Sequence, residues 1–271
     1  MTENNIGFGL IGKVIILSDI KTLTGIRVGG SSGGLKIGGV DQNVITDSMG
    51  IPYIPGSSIK GKLRSITEHV LAKNDPNYFD KRSGQRRCAN IEEYKECSVS
   101  QIFGTMLSTK HTDADSVNTL TRLYTRDTYL DESSITDKMH SNIDLPYTEV
   151  KYETAIDRIN GNAAHGSLRQ IERVPAGAIF KDSEMIFNIY MDSDKNLLKH
   201  LFTSMMLLED DYLGGMGSRG YGKIKFENIR IYWNTVQDYE SANLRSSIIN
   251  ENMTSIQDVA KNIEQIITKL V

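Results

Sequence analysis

The chain has 271 residues, 39% hydrophobic and 24% charged, with a formal net charge of −3. This supplies a sizeable core for one large domain or two small ones, and the mildly acidic balance argues against a protein that coats nucleic acid without selectivity. No run of about 18 apolar residues exists to span a bilayer. The polar start Met1-Thr2-Glu3-Asn4-Asn5 lacks a signal peptide's basic-then-apolar order, and two cysteines make no disulfide framework, so a cytoplasmic protein without a membrane partner is expected.

Residues 8–18 are apolar and β-branched and predict a buried strand. A glycine-rich segment, 29–39, follows and is closed by Asp41. Pro52 and Pro55 punctuate a turn. Ser57 is the expected N-cap of a helix to about Ala72, with Ile59, Leu63, Ile66 and Val70 on one face and Lys60 and Arg64 beside it. Residues 74–118 are polar and loop-like, 119–131 predict a strand ending at Arg126-Asp127, and 131–170 read as an excursion forming a hairpin. Strand character returns over 174–191. A helix is expected over 195–209, with Leu198, Leu201, Phe202, Met205 and Leu208 inward. The second glycine cluster, Gly214 to Lys223, ends that helix and feeds a strand from Lys223 to Trp233. Beyond 236 the chain is polar and then helical, with Ile256, Val259, Ile263, Ile266 and Ile267 at packing-helix spacing. The order predicts an α+β, ferredoxin-like fold. One domain would span 1–235, with insertions at about 74–118 and 120–170 and a helical extension over 236–271.

Charge is unevenly distributed. Between Ser57 and Arg87 lie Lys60, Lys62, Arg64, Lys73, Lys81, Arg82, Arg86 and Arg87, against Glu68, Asp75 and Asp80. Both glycine clusters adjoin basic residues. Backbone at Gly33 and Gly34, and at Gly215, Gly217, Ser218, Arg219, Gly220 and Tyr221, can approach a polyanion closely and turn N–H groups toward phosphate oxygens. Two such loops favour a phosphodiester ligand over ordinary turns. A helix start with Ser57 and Ser58, flanked by Lys60, Lys62 and Arg64, is an anion site by the same logic. Gly56 to Lys62 nearly satisfies a phosphate-loop pattern. Leu63, however, stands where a hydroxyl should hold Mg²⁺, two prolines precede it and Gly61 falls inside the helix, all against nucleotide hydrolysis. Asp41 can ligate a metal, accept a proton or cap a turn, and residue pattern alone favours the cap. Cys88 and Cys97, with His69 and His111 nearby, match no strong zinc spacing. Ser100 occupies a possible third position, so unligated thiols are expected. Asp210-Asp211 reads as a solvated helix end, while Arg158, Arg169 and Arg173 can reach phosphates or form surface pairs.

Leu23-Thr24-Gly25-Ile26-Arg27-Val28-Gly29-Gly30, then Ile37-Gly38-Gly39-Val40-Asp41, then Ile51 to Arg64 together resemble the RAMP superfamily of CRISPR effector proteins. Tyr124-Thr125-Arg126-Asp127, Glu149 to Glu153, Ile156 to Gly161, Leu168 to Ala178 and the loop 214–223 extend the match over about 8–233. Within the superfamily the chain looks most like the repeated backbone subunit of the type III-A (Csm) complex. The resemblance implies an RRM-like palm with a thumb inside 120–170, and copies stacked head to tail on a guide crRNA. The glycine loops and the helix after Pro55 would hold the guide; Arg158 and Arg173 are assigned to RNA as well. It implies other type III-A subunits as partners and cleavage of paired target RNA in antiviral defence. Asp41 falls on the required aspartate of the Gly-Gly-x-Asp motif, with a divalent metal, Mg²⁺ or Mn²⁺, and attack by the RNA's own 2′-hydroxyl. Many relatives carry histidine at Arg27. A permanently charged arginine suits stabilising charge at the scissile phosphate rather than shuttling a proton. Relatives with structural zinc carry a fuller cysteine set. The alternatives are a guide-binding filament that does not cut, and the type III-B counterpart.

Overall fold

β1 (Gly12–Thr22) begins at Gly12 rather than 8 and continues past Ser18 to Thr22. A bulge between Leu17 and Ile20 shifts its register against both neighbouring strands. The Asp19 carboxylate accepts the Asp182 N–H at 3.1 Å and Asn228 Nδ2 at 2.8 Å. The computed structural model describes residues 9–29, 42–73, 75, 77–81, 83–88, 90–105 and 120–271.

β2 (Tyr53–Ile54) leads into α1 (Gly56–Ala72), which buries Ile59, Leu63 and Ile66 but leaves Val70 44% exposed. Ser57 does not cap α1. The helix starts one residue earlier, and Asp127 Oδ1 accepts the Gly56 N–H at 2.8 Å from across the fold. Two short helices, α2 (Ile91–Glu96) and α3 (Ser98–Phe103), lie in the segment expected to be loop-like. Asn90 caps the first through the Glu93 N–H, and Tyr94, Val99, Ile102 and Phe103 are buried.

The strand expected over 119–131 divides into β3 (Leu123–Thr125) and β4 (Thr128–Tyr129), because Asp127 turns aside to cap α1 and β4 pairs with β2. After α4 (Asp137–His140), β5 (Glu149–Glu153) and β6 (Arg169–Arg173) pair antiparallel, as the hairpin reading expects. β7 (Ile179–Ile189), α5 (Leu198–Asp210) and β8 (Ile224–Thr235) follow. The four-stranded sheet has the order β3-β7-β1-β8 and is antiparallel at each pairing, the ferredoxin-like arrangement.

Val14, Ile16, Phe187, Met185 and Ile231 share one apolar core with Ile59 and Leu63 of α1 and Leu201, Phe202 and Met205 of α5. Thr67 and Ser204 join the two helices through a buried 2.6 Å hydrogen bond. Arg122 and Asp194 form a buried ion pair at 2.8 Å with side chains 4% and 1% exposed. It is a charge contact rather than a linear hydrogen bond at those two atoms. Past α6 (Val236–Glu240), the tail forms α7 (Ile256–Lys261) and α8 (Ile263–Thr268), burying Ile256, Val259, Ile266 and Leu270 in the same core. Among the described residues no helix is long and apolar enough to cross a membrane.

Candidate nucleic-acid interface

The segment after β1 is where the second glycine cluster docks, next to Gly29 at the start of the first. Ile26 exchanges backbone hydrogen bonds with Val174 at 2.8 and 2.9 Å on one side. On the other, the second glycine loop docks through Gly222 N–H to Gly25 O at 3.0 Å and Gly215 N–H to Arg27 O at 2.9 Å. The Arg27 guanidinium is packed between the loops: a Cβ on Gly29 would lie 3.3 Å from its Nη2, and one on Gly215 3.4 Å from its Nη1. Arg27 Nε is buried without a hydrogen-bond partner among the described residues. An arginine half-buried between Gly29 and Gly215, with a donor unspent, has the chemistry to meet an anion.

Glycine is required at Gly214, whose φ is +85° and where a Cβ would stand 2.3 Å from the Arg27 carbonyl oxygen. Gly214→Ala is expected to undock the loop, lowering stability by about 1–3 kcal/mol for the strained backbone and weakening RNA binding together with it. Thermal melting and filter binding of the variant check this. Gly217 lies under the Tyr212 ring, and Lys62 Nζ sits 3.7 Å from that ring's centroid and 2.8 Å from Asp211 Oδ2. Lys62 and Asp211 thus tie α1 to the second loop, while Asp210 and Asp211 are both exposed, the solvated helix end expected.

Gly33, Gly34 and Asp41 lie outside the described residues. The chain returns at Gln42, whose carbonyl accepts the Glu172 N–H of β6 at 3.0 Å, while Glu172 Oε2 accepts the Val44 N–H at 2.9 Å. The residue following Asp41 is therefore pinned to the hairpin.

At α1, Ser57 is exposed and Ser58 half-buried, and the first N–H is taken by Asp127. Lys60 Nζ stands 5.9 Å from the Tyr124 ring centroid, its ammonium held below its ordinary pKa by burial and then by Arg64. Arg64 is turned inward: Nε donates to Glu68 Oε1 at 2.8 Å, Nη1 to Gly104 O at 3.0 Å and Nη2 to Arg86 O at 2.9 Å. Sequence cannot separate Lys60 from Arg64, which are four apart on one helix flank. The structure gives one to the surface and the other to stapling α1 onto the insertion.

Tyr221 is not surface-facing. It is 1% exposed, its hydroxyl donates to Glu153 Oε1 at 2.8 Å, and Lys151 and Arg173 lie 4.5 and 5.0 Å from its ring centroid. Burial, and then the Glu153 carboxylate, push its pKa up to about 12. Arg173 also donates to Glu149 Oε1 at 2.7 Å and lies over Gly25, and Arg219 reaches Glu153 at 3.4 Å. These contacts latch the hairpin to the second glycine loop. Ser218 and Gly220 are exposed on that loop. Arg158 is exposed at the hairpin tip beside Ile156 and Ile159, which are 68% and 93% exposed. A cleft of about 380 Å³ lined by Lys151, Glu153, Ser167, Arg169 and Arg219 opens at the hairpin's base. Glu149, Lys151 and Glu153 were missed as latch residues, although their period-2 spacing on one strand face was a usable signal.

Cys88 and Cys97 are both buried and free, and Cys88 Sγ lies 3.0 Å from Ser100 Oγ. Hydrogen bonding from Cys88 holds the Cys97 thiol well below its usual pKa, against the effect of burial. Among the described residues no group of three metal-binding side chains gathers.

The RAMP superfamily model matches residues 19–225. A protein of Methanocaldococcus jannaschii, named CRISPR system Cms endoribonuclease Csm3, is 39% identical over 95% of this chain and 95% of its own. A Streptococcus thermophilus protein of the same name is 35% identical over 80% of this chain and 89% of its own. A crystal structure of a Csm3–Csm4 subcomplex of the type III-A CRISPR-Cas interference complex aligns with TM-score 0.55 at 29% identity, covering 95% of this chain and 98% of that one. The crystal structure of Methanopyrus kandleri Csm3 has the same fold, with TM-score 0.67 at 20% identity over 97% of this chain and 99% of that one. Matched along most of its length and sharing this architecture, the chain belongs to the RAMP superfamily and, within it, to the Csm3 family.

Proposed function

We propose that this chain is the guide-RNA-binding, multi-copy backbone subunit of a type III-A CRISPR effector complex, and that within the complex it cleaves paired target RNA. One observation carries the reading: the second glycine loop docks on the backbone of Gly25 and Arg27, and the Arg27 guanidinium lies between Gly29 and Gly215 with its Nε unpaired among the described residues. The curated relatives named as endoribonucleases support the cutting activity, and the relative crystallised with Csm4 supports assembly with other type III-A subunits.

The chemistry asks little of the protein, because RNA brings its own nucleophile in the 2′-hydroxyl. Arg27 balances negative charge accumulating at the scissile phosphate. Asp41 receives a proton or holds a metal; the residues that follow it, Gln42 and Val44, are bonded to Glu172. A hard divalent ion such as Mg²⁺ or Mn²⁺ fits a single carboxylate complemented by phosphate oxygens and water, and would supply Lewis-acid stabilisation there. The exposed apolar hairpin tip, Ile156 and Ile159, is suited to wedging between bases.

The complex purified through this chain should carry small RNA of discrete length, and an assembly free of RNA would sink the reading. Lys60→Ala should lower the salt dependence of guide binding by about 0.7 in log–log slope for a single strand. Arg64→Ala should instead lower the melting temperature, because its donors are bound within the protein.

A further inference from the structure

The sheet has one face against α1 and α5 and another turned away from them. Strand register places Tyr124, Ile186 and Ile15 in one row of the outer face, and Asn188 and Lys13 in the next. Toward β8 this face is covered by the segment 241–250: the Arg245 N–H donates to Asn234 Oδ1 at 2.9 Å, its guanidinium meets Glu184 at 2.6 Å, and Ile248 bridges to Tyr232. Ile15 and Leu17 are only 4% and 8% exposed. Toward β3 the cover stops, and Tyr124 is 45% exposed.

Three cations border that open edge. Lys13 Nζ donates to the neutral Asn188 Oδ1 at 2.7 Å, Lys60 Nζ lies 5.9 Å from the Tyr124 ring, and Arg126 is exposed two residues along β3's direction from Tyr124. Among the described residues none of the three has a carboxylate partner. Elsewhere on the surface some cations do find one: Lys21 meets Glu227 at 3.6 Å, Lys181 meets Asp131 at 2.6 Å and Arg230 meets Asp182 at 2.7 Å. Lys13 is also held below its ordinary pKa, by burial and then by the charge of Arg126. Cations crowded together without a counter-charge are relieved by an incoming anion. An exposed aromatic ring among them is the usual seat of an unpaired base. A protein partner would ask for more apolar area than one ring amid three charges provides.

We propose that this edge of the sheet is a second RNA-contact surface, taking a single-stranded stretch of the guide as it leaves α1 at Lys60. A base stacks on Tyr124 while flanking phosphates lie against Lys13 and Arg126. The assignment rests on the guide-binding reading above and extends it to the sheet face turned away from α1 and α5.

Binding of a fluorescent single-stranded RNA to the full chain, measured over a salt series, tests this. Arg126→Ala and Lys13→Met should each lower the log–log salt slope by about 0.7. Tyr124→Ala should weaken binding roughly 5- to 150-fold at unchanged slope, and Tyr124→Phe should restore it, since the ring and not the hydroxyl is used. Melting curves of each variant confirm folding; Arg126 and the Tyr124→Phe pair carry the test even if Lys13→Met is destabilised. If these variants bind as the unaltered chain does while Lys60→Ala binds more weakly, this surface is overturned and guide binding stands. Should the unaltered chain bind no RNA, the guide-binding reading fails with it. Normal RNA binding with loss of another subunit in pull-down would make the edge a protein interface and overturn the proposal.

Discussion

Asp41→Ala is expected to reduce target-RNA cleavage by about 10²- to 10⁴-fold, the contribution of a single positioned proton acceptor, while leaving assembly and target binding intact. The two effects separate because grip and chemistry reside in different groups. On the proposed reading, guide binding draws on Lys60, Arg27 and the glycine backbone. The carboxylate contributes only where charge develops in the transition state. Denaturing gels of labelled target incubated with the purified complex read the outcome directly. Cleavage at the unaltered rate would remove Asp41 from the chemistry and favour a filament that binds without cutting. Equal loss of binding and cleavage would make Asp41 a structural residue of its loop.

Asp194→Ala should be the most damaging substitution for stability, costing about 3–5 kcal/mol because it strands the Arg122 charge in the interior. Asp194 Oδ1 lies 2.8 Å from Arg122 Nε, and its Oδ2 accepts the N–H groups of Tyr190 at 2.9 Å and Met191 at 3.1 Å. Arg122 in turn donates to the Tyr94 hydroxyl at 2.9 Å. One carboxylate therefore joins the end of β7, the entry to α5, the approach to β3 and the insertion helix α2. A fall in melting temperature of roughly 6–20 °C is expected from that cost. Asp194→Asn, which keeps an acceptor for the backbone groups but loses the charge, should fall between the two. A melting temperature unchanged in Asp194→Ala would show that the pair adds nothing.

The long strands and the two packing helices were legible because their apolar spacing is sustained. β7 appears within its predicted span, β8 runs two residues past its expected end at Trp233, and α5 buries each of the five apolar side chains expected of it. α2 and α3 were hidden because six-residue helices carry too few apolar positions to show a period. Asp127 could not be identified as the cap of α1, since a contact spanning 71 positions leaves no local mark. The second glycine cluster was visible as a loop, but its docking on the Arg27 carbonyl was not, since the two are far apart in the chain. That Tyr221 faces inward was not: an aromatic residue among glycines and cations looks the same in sequence whether it stacks on a base or closes a core. The inward turn of Arg64 needed the carbonyls of Arg86 and Gly104, which local sequence does not place beside it.

The acid seated on the opening amide of α1 shapes how any polyanion travels past. With that pole already answered from within, the helix end no longer fixes a passing phosphate at one spot. What remains on the flank is the Lys60 ammonium, whose pull is broad and indifferent to a small slip of the strand. Such a track measures out lengths of chain and ignores their letters, which is what a scaffold loaded with ever-changing sequences requires.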